Sequence, residues 1–311
     1  MIGENACDIS VVIPTHKRHK ELERAVNSAF SQTFQCNQII VVSDGFDQKT
    51  DELMKRLVSE HSSIQYQVID PPQGGNHARN VGADLANTAF IAFLDDDDEW
   101  HPQKVERQME LFQEDGNIGV VCSAMNIIEV DNGISRVSTP MAKYDSSRMI
   151  LFRNCIGSTS SVIVRKSIFV KSGMFDEQLK AMQDYELWIR ICQFTKIGVV
   201  KEPCVDYYND ANSAQISSNT QKYIDAYDYI FDKHKELFHN MLNRGELRTR
   251  KTQSFLAISK RAMRNGQPAL ARDYAKRALR FGALRGMLYY ALSLSSYRHF
   301  TRIKARISKM H

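Results

Sequence analysis

The sequence predicts an α/β fold: a mixed, mainly parallel sheet flanked by helices, followed by an all-helical C-terminal extension. Three observations predict it. Over the first hundred residues, short β-branched apolar runs alternate with segments of helical period, as βαβ units do. Polar and acidic residues fall just after those runs, at the edge where ligands of parallel sheets gather. From about Gln221 onward the pattern is helical, with no further convincing strand.

Asp8 to Pro14 (D-I-S-V-V-I-P) is β-branched and apolar, which suits a strand covered on both faces. Lys20 to Gln32 follows with helical spacing at Leu22, Ala25, Val26, Ala29 and Phe30. Gln38 to Val42 is a second buried strand, closed by the turn formers Ser43-Asp44-Gly45. Asp47 to His61 reads as a helix, Ile64 to Ile69 as a third strand, and Asp70 to Gly75 as an irregular loop. Asn76 to Ala86 is a helix, and the apolar run Ala89 to Leu94 is the fourth strand. After Trp100, a helix is expected near Gln103 to Gln113, then strands at Ile118 to Ser123 and Met125 to Val130, with Asp131-Asn132-Gly133 as a hairpin turn. A strand near Ser160 to Val164 and a helix over Gln183 to Gln193 complete this part. Ala257 to Arg280 reads as a helical hairpin turned at Asn265-Gly266-Gln267-Pro268, with the small-residue rhythm of one tetratricopeptide-like unit.

Composition narrows the class. The 311 residues are 43% hydrophobic and 25% charged, ordinary for a globular protein large enough for one large domain and a smaller one. Met1 to Ser10 is polar and lacks the apolar core of a secretory signal, and no stretch reaches the roughly 18 apolar residues of a membrane span. The six cysteines are scattered without a C-x-x-C pair, as buried thiols of a reducing cytosol would be. Residues 240–311 carry 17 Lys and Arg against only Glu246 and Asp273, so the net charge of +5 hides an acidic body and a basic tail.

Four consecutive aspartates, Asp95 to Asp98, end the fourth strand and are followed by Glu99 and Trp100. Mutual repulsion and desolvation make such a cluster costly unless a cation or hydrogen-bond donors neutralise it. Oxygen ligands suit magnesium and manganese, whereas the plain alternative is a solvated acidic turn.

Five stretches in this order carry a resemblance: S-V-V-I-P-T-H-K-R (10–18), I-I-V-V-S-D-G (39–45), G-G-N-H-A-R-N-V-G (74–82), I-A-F-L-D-D-D-D-E-W (91–100) and G-M-F-D-E-Q-L-K-A-M-Q-D-Y-E-L-W-I-R (173–190). Together, over about residues 8 to 216, the chain resembles the family-two glycosyltransferases, inverting nucleotide-sugar enzymes with the GT-A fold. The resemblance implies that groups around Pro14 and Thr15 lie against the nucleotide base, and that Arg18 reaches a phosphate. Asp44 matches the carboxylate that accepts the N3–H of a uracil-type base, although an aspartate before glycine is also an everyday turn residue. Arg79, early in a helix after Gly74-Gly75, matches the family's diphosphate contact, where helix N-terminal amides also favour an anion. The D-x-D pattern falls on Asp95-Asp96-Asp97, with Asp97 as direct ligand of Mn2+ or Mg2+ and Asp95 or Asp96 holding ribose hydroxyls or metal-bound water. Asp98 and Glu99 are expected in a supporting role or as caps of the next helix, the latter favoured for Glu99. Asp184, in Q-D-Y-E-L-W, matches the base that deprotonates the acceptor hydroxyl, with Glu186 as fallback and Trp188 as core.

The chain departs from the family at three places. His16-Lys17 stands where an aromatic-Asn pair is common, Gln183 replaces a glutamate, and residues 204–217 lack the basic residue often found in the loop that meets the diphosphate. The expected organisation is a catalytic domain over 1–220 and a basic helical extension over 221–311. The expected function is transfer of a sugar, with a UDP-sugar favoured as nucleoside-diphosphate donor, to a hydroxyl of a glycan or lipid-linked saccharide in cell-surface polysaccharide synthesis. The expected location is the cytoplasm, peripherally at the inner face of the cell membrane. In the tail, Phe281, Leu284, Met287, Leu288, Tyr289 and Tyr290 lie among Lys and Arg, which suits an anionic membrane surface, a solvated extension or a homo-oligomer interface. No base-reading module accompanies the charge, so nucleic acid is not expected. The competing readings are a nucleotidyltransferase that makes the nucleotide sugar and a non-catalytic adaptor that uses the tail.

Overall fold

The computed structural model describes residues 6–130, 133–209 and 219–281, together with Met287 and Tyr290. It divides into two compact units, the first built from residues 1–150, 154–179 and 183–213, the second from 151–153, 180–182 and 214–311.

In the first unit, β1 (Ala6–Thr15), β2 (Gln35–Asp44), β3 (Ile64–Ile69) and β4 (Phe90–Phe93) run parallel in the spatial order β3-β2-β1-β4. The helices α1 (His19–Phe30), α2 (Gln48–Glu60) and α3 (Gly75–Leu85) are the crossovers between them. Each helix follows from its apolar stripe: α1 buries Leu22, Ala25, Val26 and Ala29, and α2 buries Met54 and Leu57 behind an N-cap at Asp47. Val11, Val12, Ile13, Ile39, Val41 and Ala92 are essentially inaccessible, which is why these strands read as unbroken apolar runs rather than alternations. The helix α3 seats closely on this sheet because Gly82 has no side chain. A Cβ there would lie 2.4 Å from a Val12 methyl.

Beyond β4 the sheet becomes mixed. A two-residue strand β5 (Glu99–Trp100) and α4 (Lys104–Glu114) lead to β6 (Ile118–Glu129), which pairs antiparallel with β7 (Ile134–Ser138) and β8 (Val162–Arg165). β8 is also antiparallel to β4, and so carries the sheet across from β4 to β6. A short helix α5 (Lys166–Lys171) precedes α6 (Gln183–Ile191) and β9 (Lys196–Asn209), which runs parallel to β6 and antiparallel to β5.

Three expectations change here. The two strands foreseen at Ile118 to Ser123 and Met125 to Val130 are one strand, whose register against β9 shifts around Ala124. The strand foreseen from Ser160 starts at Val162, after a 3-10 turn over Thr159–Ser161. The long strand β9 has no counterpart in the sequence reading, because Lys201, Glu202 and Pro203 interrupt its apolar pattern where the register slips. Residues 131 and 132 of the foreseen hairpin turn lie outside the described residues, while Gly133 has the positive φ of 64° such turns require.

The second unit is helical: α7 (Thr220–Lys233), α8 (Lys235–Met241), α9 (Arg244–Arg264) and α10 (Pro268–Arg280). Asn243 and Glu246 form a capping box at the start of α9, and Pro268 opens α10. The α9–α10 hairpin closes on Ala262, Met263 and Ala271, with the Ser259 hydroxyl donating to the Ala271 carbonyl at 2.7 Å. Arg250 is buried, lying 3.9 Å over the Phe238 ring. Among the described residues no helix is long and apolar enough to cross a membrane. Residues 282–286, 288–289 and 291–311 of the basic tail, among them Leu284, Leu288 and Tyr289, lie outside the described residues, and Met287 is exposed.

Candidate active site

The C-terminal ends of β1, β2 and β4 meet at one edge. Leu94 extends β4 by donating its N–H to the Val12 carbonyl, and the chain then turns so that the Asp98 N–H meets the Asp95 carbonyl at 3.0 Å. The turn presents Asp95 and Asp97 half-buried and withdraws Asp96 and Asp98 into the protein.

Each carboxylate has its own partners. Asp95 accepts from Arg79 at 2.5 Å and from the Thr159 hydroxyl at 3.2 Å. Asp96 accepts from the Thr15 hydroxyl at 2.8 Å and from Arg18 at 3.0 Å; the same Arg18 nitrogen donates to Asp97 at 2.8 Å. Arg24, on α1, donates to the Asp97 main-chain carbonyl at 2.6 Å and lies 4.1 Å over the Tyr208 ring. Asp98 accepts from the Ser160 hydroxyl at 2.5 Å.

Burial sets the protonation behaviour of this edge. It pushes Asp96 up to about 6, with Arg18 and Thr15 opposing and the charges of Asp97 and Asp95 adding to it. Burial and the same two neighbours hold Asp98 well above the usual carboxylate range. Arg18 is held above its ordinary value, because Asp96 and Asp97 together outweigh the opposing effect of burial.

Asp98 and Glu99 do not cap the next helix. Asp98 is fully buried under Ser160, α4 starts only at Lys104, and the Glu99 carboxylate instead accepts from the Tyr208 hydroxyl at 3.2 Å. Trp100 fixes the chain just after this turn: it is buried and donates its ring N–H to the Ser160 carbonyl at 2.8 Å.

Arg79 reaches the edge from the first turns of α3. Gly74, with φ 105°, lets the chain enter the helix, and a Cβ at Gly75 would press within 3.2 Å of the guanidinium. Arg79 is 8% exposed, and its buried Nε has no hydrogen-bond partner among the described residues. Asp44, at the end of β2, accepts from the backbone N–H groups of Gln73 (2.7 Å) and Gly74 (2.9 Å), and so anchors the loop that delivers this helix. His16 Nδ1 bonds the Asp44 carbonyl, and Pro14 is buried.

Asp184 lies in the first turn of α6. Protein crowds it on most sides, yet it keeps a half-buried edge. Burial pushes it up to about 6; the Asp95 charge adds to this, and Arg79 opposes it. Asp184, Asp95 and Arg79 are therefore electrostatic neighbours. Glu186 is not a spare base: it is fully buried and paired with Arg190 at 2.7 Å, which also bonds the carbonyls of Ser172 and Met174. Trp188 is core. The segment before α6 is clamped to α3, where Asn76 donates to the carbonyls of Asp176 (2.7 Å) and Leu179 (3.1 Å), and Asn80 bonds both N–H and carbonyl of Phe175. Lys17 (φ 56°) and Met182 (φ 58°) hold left-handed backbone immediately ahead of Arg18 and two residues before Asp184, a form of strain common at functional sites.

Arg24, Thr159, Ser160 and Asn76 escaped the sequence reading. The hydroxyl run S-T-S-S at 158–161, just ahead of an apolar strand, was the available signal for the two that bind aspartates. Residues 204–209 of the foreseen loop belong to β9, and residues 210–217 lie outside the described residues.

The donor set fits a hard divalent cation. Asp95 and Asp97 offer partly exposed carboxylate oxygens, 24% and 22% accessible, beside a surplus of negative charge that the arginines only partly offset. Among the described residues no three side chains of His, Cys, Asp or Glu form a closed metal cage. An ion held by one or two carboxylates, with phosphate and water as its other ligands, matches this arrangement.

The chain matches the model described as glycosyl transferase family 2 over residues 10–173, more than half its length, and it belongs to that family. An uncharacterized glycosyltransferase of Haemophilus influenzae is 27% identical over 230 residues, covering 71% of this chain and 75% of the relative. The amylovoran biosynthesis glycosyltransferase AmsB of Erwinia amylovora is 28% identical over 210 residues, 64% of this chain and 69% of that one. Against another relative the chain spans only 36% of its length. Among solved structures, the mannosyltransferase PcManGT of Pyrobaculum calidifontis, in complex with GDP-Man and Mn2+, superposes with a TM-score of 0.59 at 14% identity over 96% of this chain and 84% of that one. The fold is GT-A: a mixed sheet with flanking helices and a helical C-terminal part.

Proposed function

We propose that this glycosyltransferase is an inverting, metal-dependent enzyme that moves a sugar from a nucleoside-diphosphate donor, UDP-linked by preference, to a hydroxyl of a glycan or lipid-linked saccharide. The observation that carries the proposal is the gathering of Asp95, Asp96 and Asp97 with Arg18 and Arg79 at one edge of the sheet, with Asp184 as an electrostatic neighbour of the Arg79–Asp95 pair. Residues 1–220 act as the catalytic domain, with Pro14, Thr15 and Asp44 on the base, Arg18 and Arg79 on the diphosphate, and Asp95 and Asp96 on ribose or metal-bound water. Asp97 holds Mn2+ or Mg2+. When bound, the cation offsets the charge that develops on the departing nucleoside diphosphate.

Asp184 takes the proton of the acceptor hydroxyl as its oxygen bonds to the anomeric carbon from the face opposite the leaving group. The bond from that carbon to the diphosphate breaks, and its electron pair leaves with the nucleotide. The GDP-Man of the archaeal neighbour makes a guanosine donor the main competitor. A relative that serves amylovoran biosynthesis supports a polysaccharide product. The basic extension, residues 221–311, keeps the enzyme at the anionic inner face of the membrane where such an acceptor is made.

The test is Asp184→Asn, with nucleotide release followed across a panel of UDP- and GDP-sugars and saccharide acceptors. Transfer is expected to fall by about 100-fold or more while nucleotide-sugar binding by calorimetry survives. Transfer near the wild-type rate would sink the assignment.

A further inference from the structure

Asn154 stands thirty residues before Asp184 in the chain and beside it in space. Its Oδ1 accepts the backbone N–H groups of Ile156 at 3.1 Å and Gly157 at 3.0 Å. Its Nδ2 donates to the Gly157 carbonyl at 3.1 Å and to Asp184 Oδ2 at 3.0 Å. Two backbone donors at one end and two acceptors at the other leave a single way to orient this amide, and both its N–H bonds are used. The Gly157 carbonyl also accepts from Trp188 Nε1 at 3.1 Å, and Trp188 is fully buried one helical turn after Asp184. Gly157 has φ 123°, a conformation few other residues would hold. The turn is thus fastened to α6 at two points, and the solvent-facing Asn154 is the one that meets the carboxylate.

We infer that Asn154 is a positioning residue for Asp184, holding Oδ2 through an amide N–H and so fixing the direction in which the carboxylate meets the acceptor proton. The inference rests on the assignment of Asp184 as the base. An N–H donated to the carboxylate favours its charged form, as Arg79 and the backbone N–H of Tyr185 also do, and all three work against burial and the Asp95 charge. Asn154 therefore keeps the base ionised at neutral pH and aimed, a role distinct from supplying charge.

The test uses two variants of the full chain. Asn154→Ala removes the amide, whereas Asn154→Asp keeps an oxygen for the Ile156 and Gly157 N–H groups and turns the donor facing Asp184 into an acceptor. Carbon NMR of aspartate-labelled protein follows the Asp184 carboxyl through pH, its signal identified by its loss in Asp184→Asn. The titration is expected to move upward by about one pH unit in Asn154→Ala and further in Asn154→Asp, where a like charge is added. Turnover of Asn154→Asp at neutral pH should fall about tenfold with donor KM unchanged. An unmoved titration in both variants, with Asp184→Asn inactive, overturns the positioning role alone. Retained transfer in Asp184→Asn overturns the base assignment and the inference with it.

Discussion

Asp96 and Asp184 are both pushed up to about 6, and burial is the largest cause in each, yet their surroundings differ. Asp96 sits in a file of four carboxylates cross-linked by guanidinium groups: Arg18 bridges it to Asp97, and Arg79 holds Asp95. Asp184 is held by N–H groups, the Asn154 amide and the Tyr185 backbone, and feels Asp95 and Arg79 only through space. The difference teaches that an equal shift does not mean an equal role. The first arrangement ties carboxylates to cationic partners, whereas the second surrounds a carboxylate with neutral N–H donors.

The largest expected effect comes from removing a carboxylate of the first kind. Asp97→Ala should weaken manganese-dependent binding of the nucleotide-sugar by about 100-fold in calorimetry, and equal affinity with and without its carboxylate would erase the contrast. Next is pH. With donor saturating, kcat should fall about tenfold per unit below pH 6 as Asp184 takes up a proton, and a flat profile between pH 5 and about 7 would show that the second carboxylate has no such duty.

The smallest effect concerns Asp98, whose pKa is raised in the folded state by burial and by Asp97 and Asp95. The stability its carboxyl contributes is present at acid pH, below the unfolded value, and is lost as pH rises through the folded one. Asp98→Asn should therefore raise Tm at pH 7 by about 2–4 °C, and the gain should vanish near pH 4, as differential scanning calorimetry would record. A lower Tm at pH 7 would mean that the Ser160 bond requires the anion.

The parallel half of the sheet was legible because β1 to β4 are covered on both faces and their helices carry plain apolar stripes. The mixed half was not. β9 carries Lys201, Glu202 and Pro203 in its middle, and β6 runs through a register shift that a strict period of two cannot represent. The aspartates, Arg79 and Asp184 stood out through their motifs. The cap favoured for Glu99 and left open for Asp98 failed because adjacent residues in a turn go to opposite environments, and only the packing of Ser160, Trp100 and Tyr208 decides which. Asn154, Arg24 and Asn76 act through hydrogen bonds across 30, 73 and about 100 positions of sequence, and short-range pattern carries no trace of such partners.

The bridge that Arg18 makes between Asp96 and Asp97, together with the Arg79–Asp95 pair, has a consequence for the order of ligand arrival. A phosphate or a cation alone meets groups already satisfied by each other, and gains only what it takes from an existing pair. Arriving as a chelate, the two let the partners change over in one move, guanidinium to phosphate and carboxylate to metal. Nucleotide and cation should then bind with positive heterotropic cooperativity, each raising the affinity of the other by the same factor.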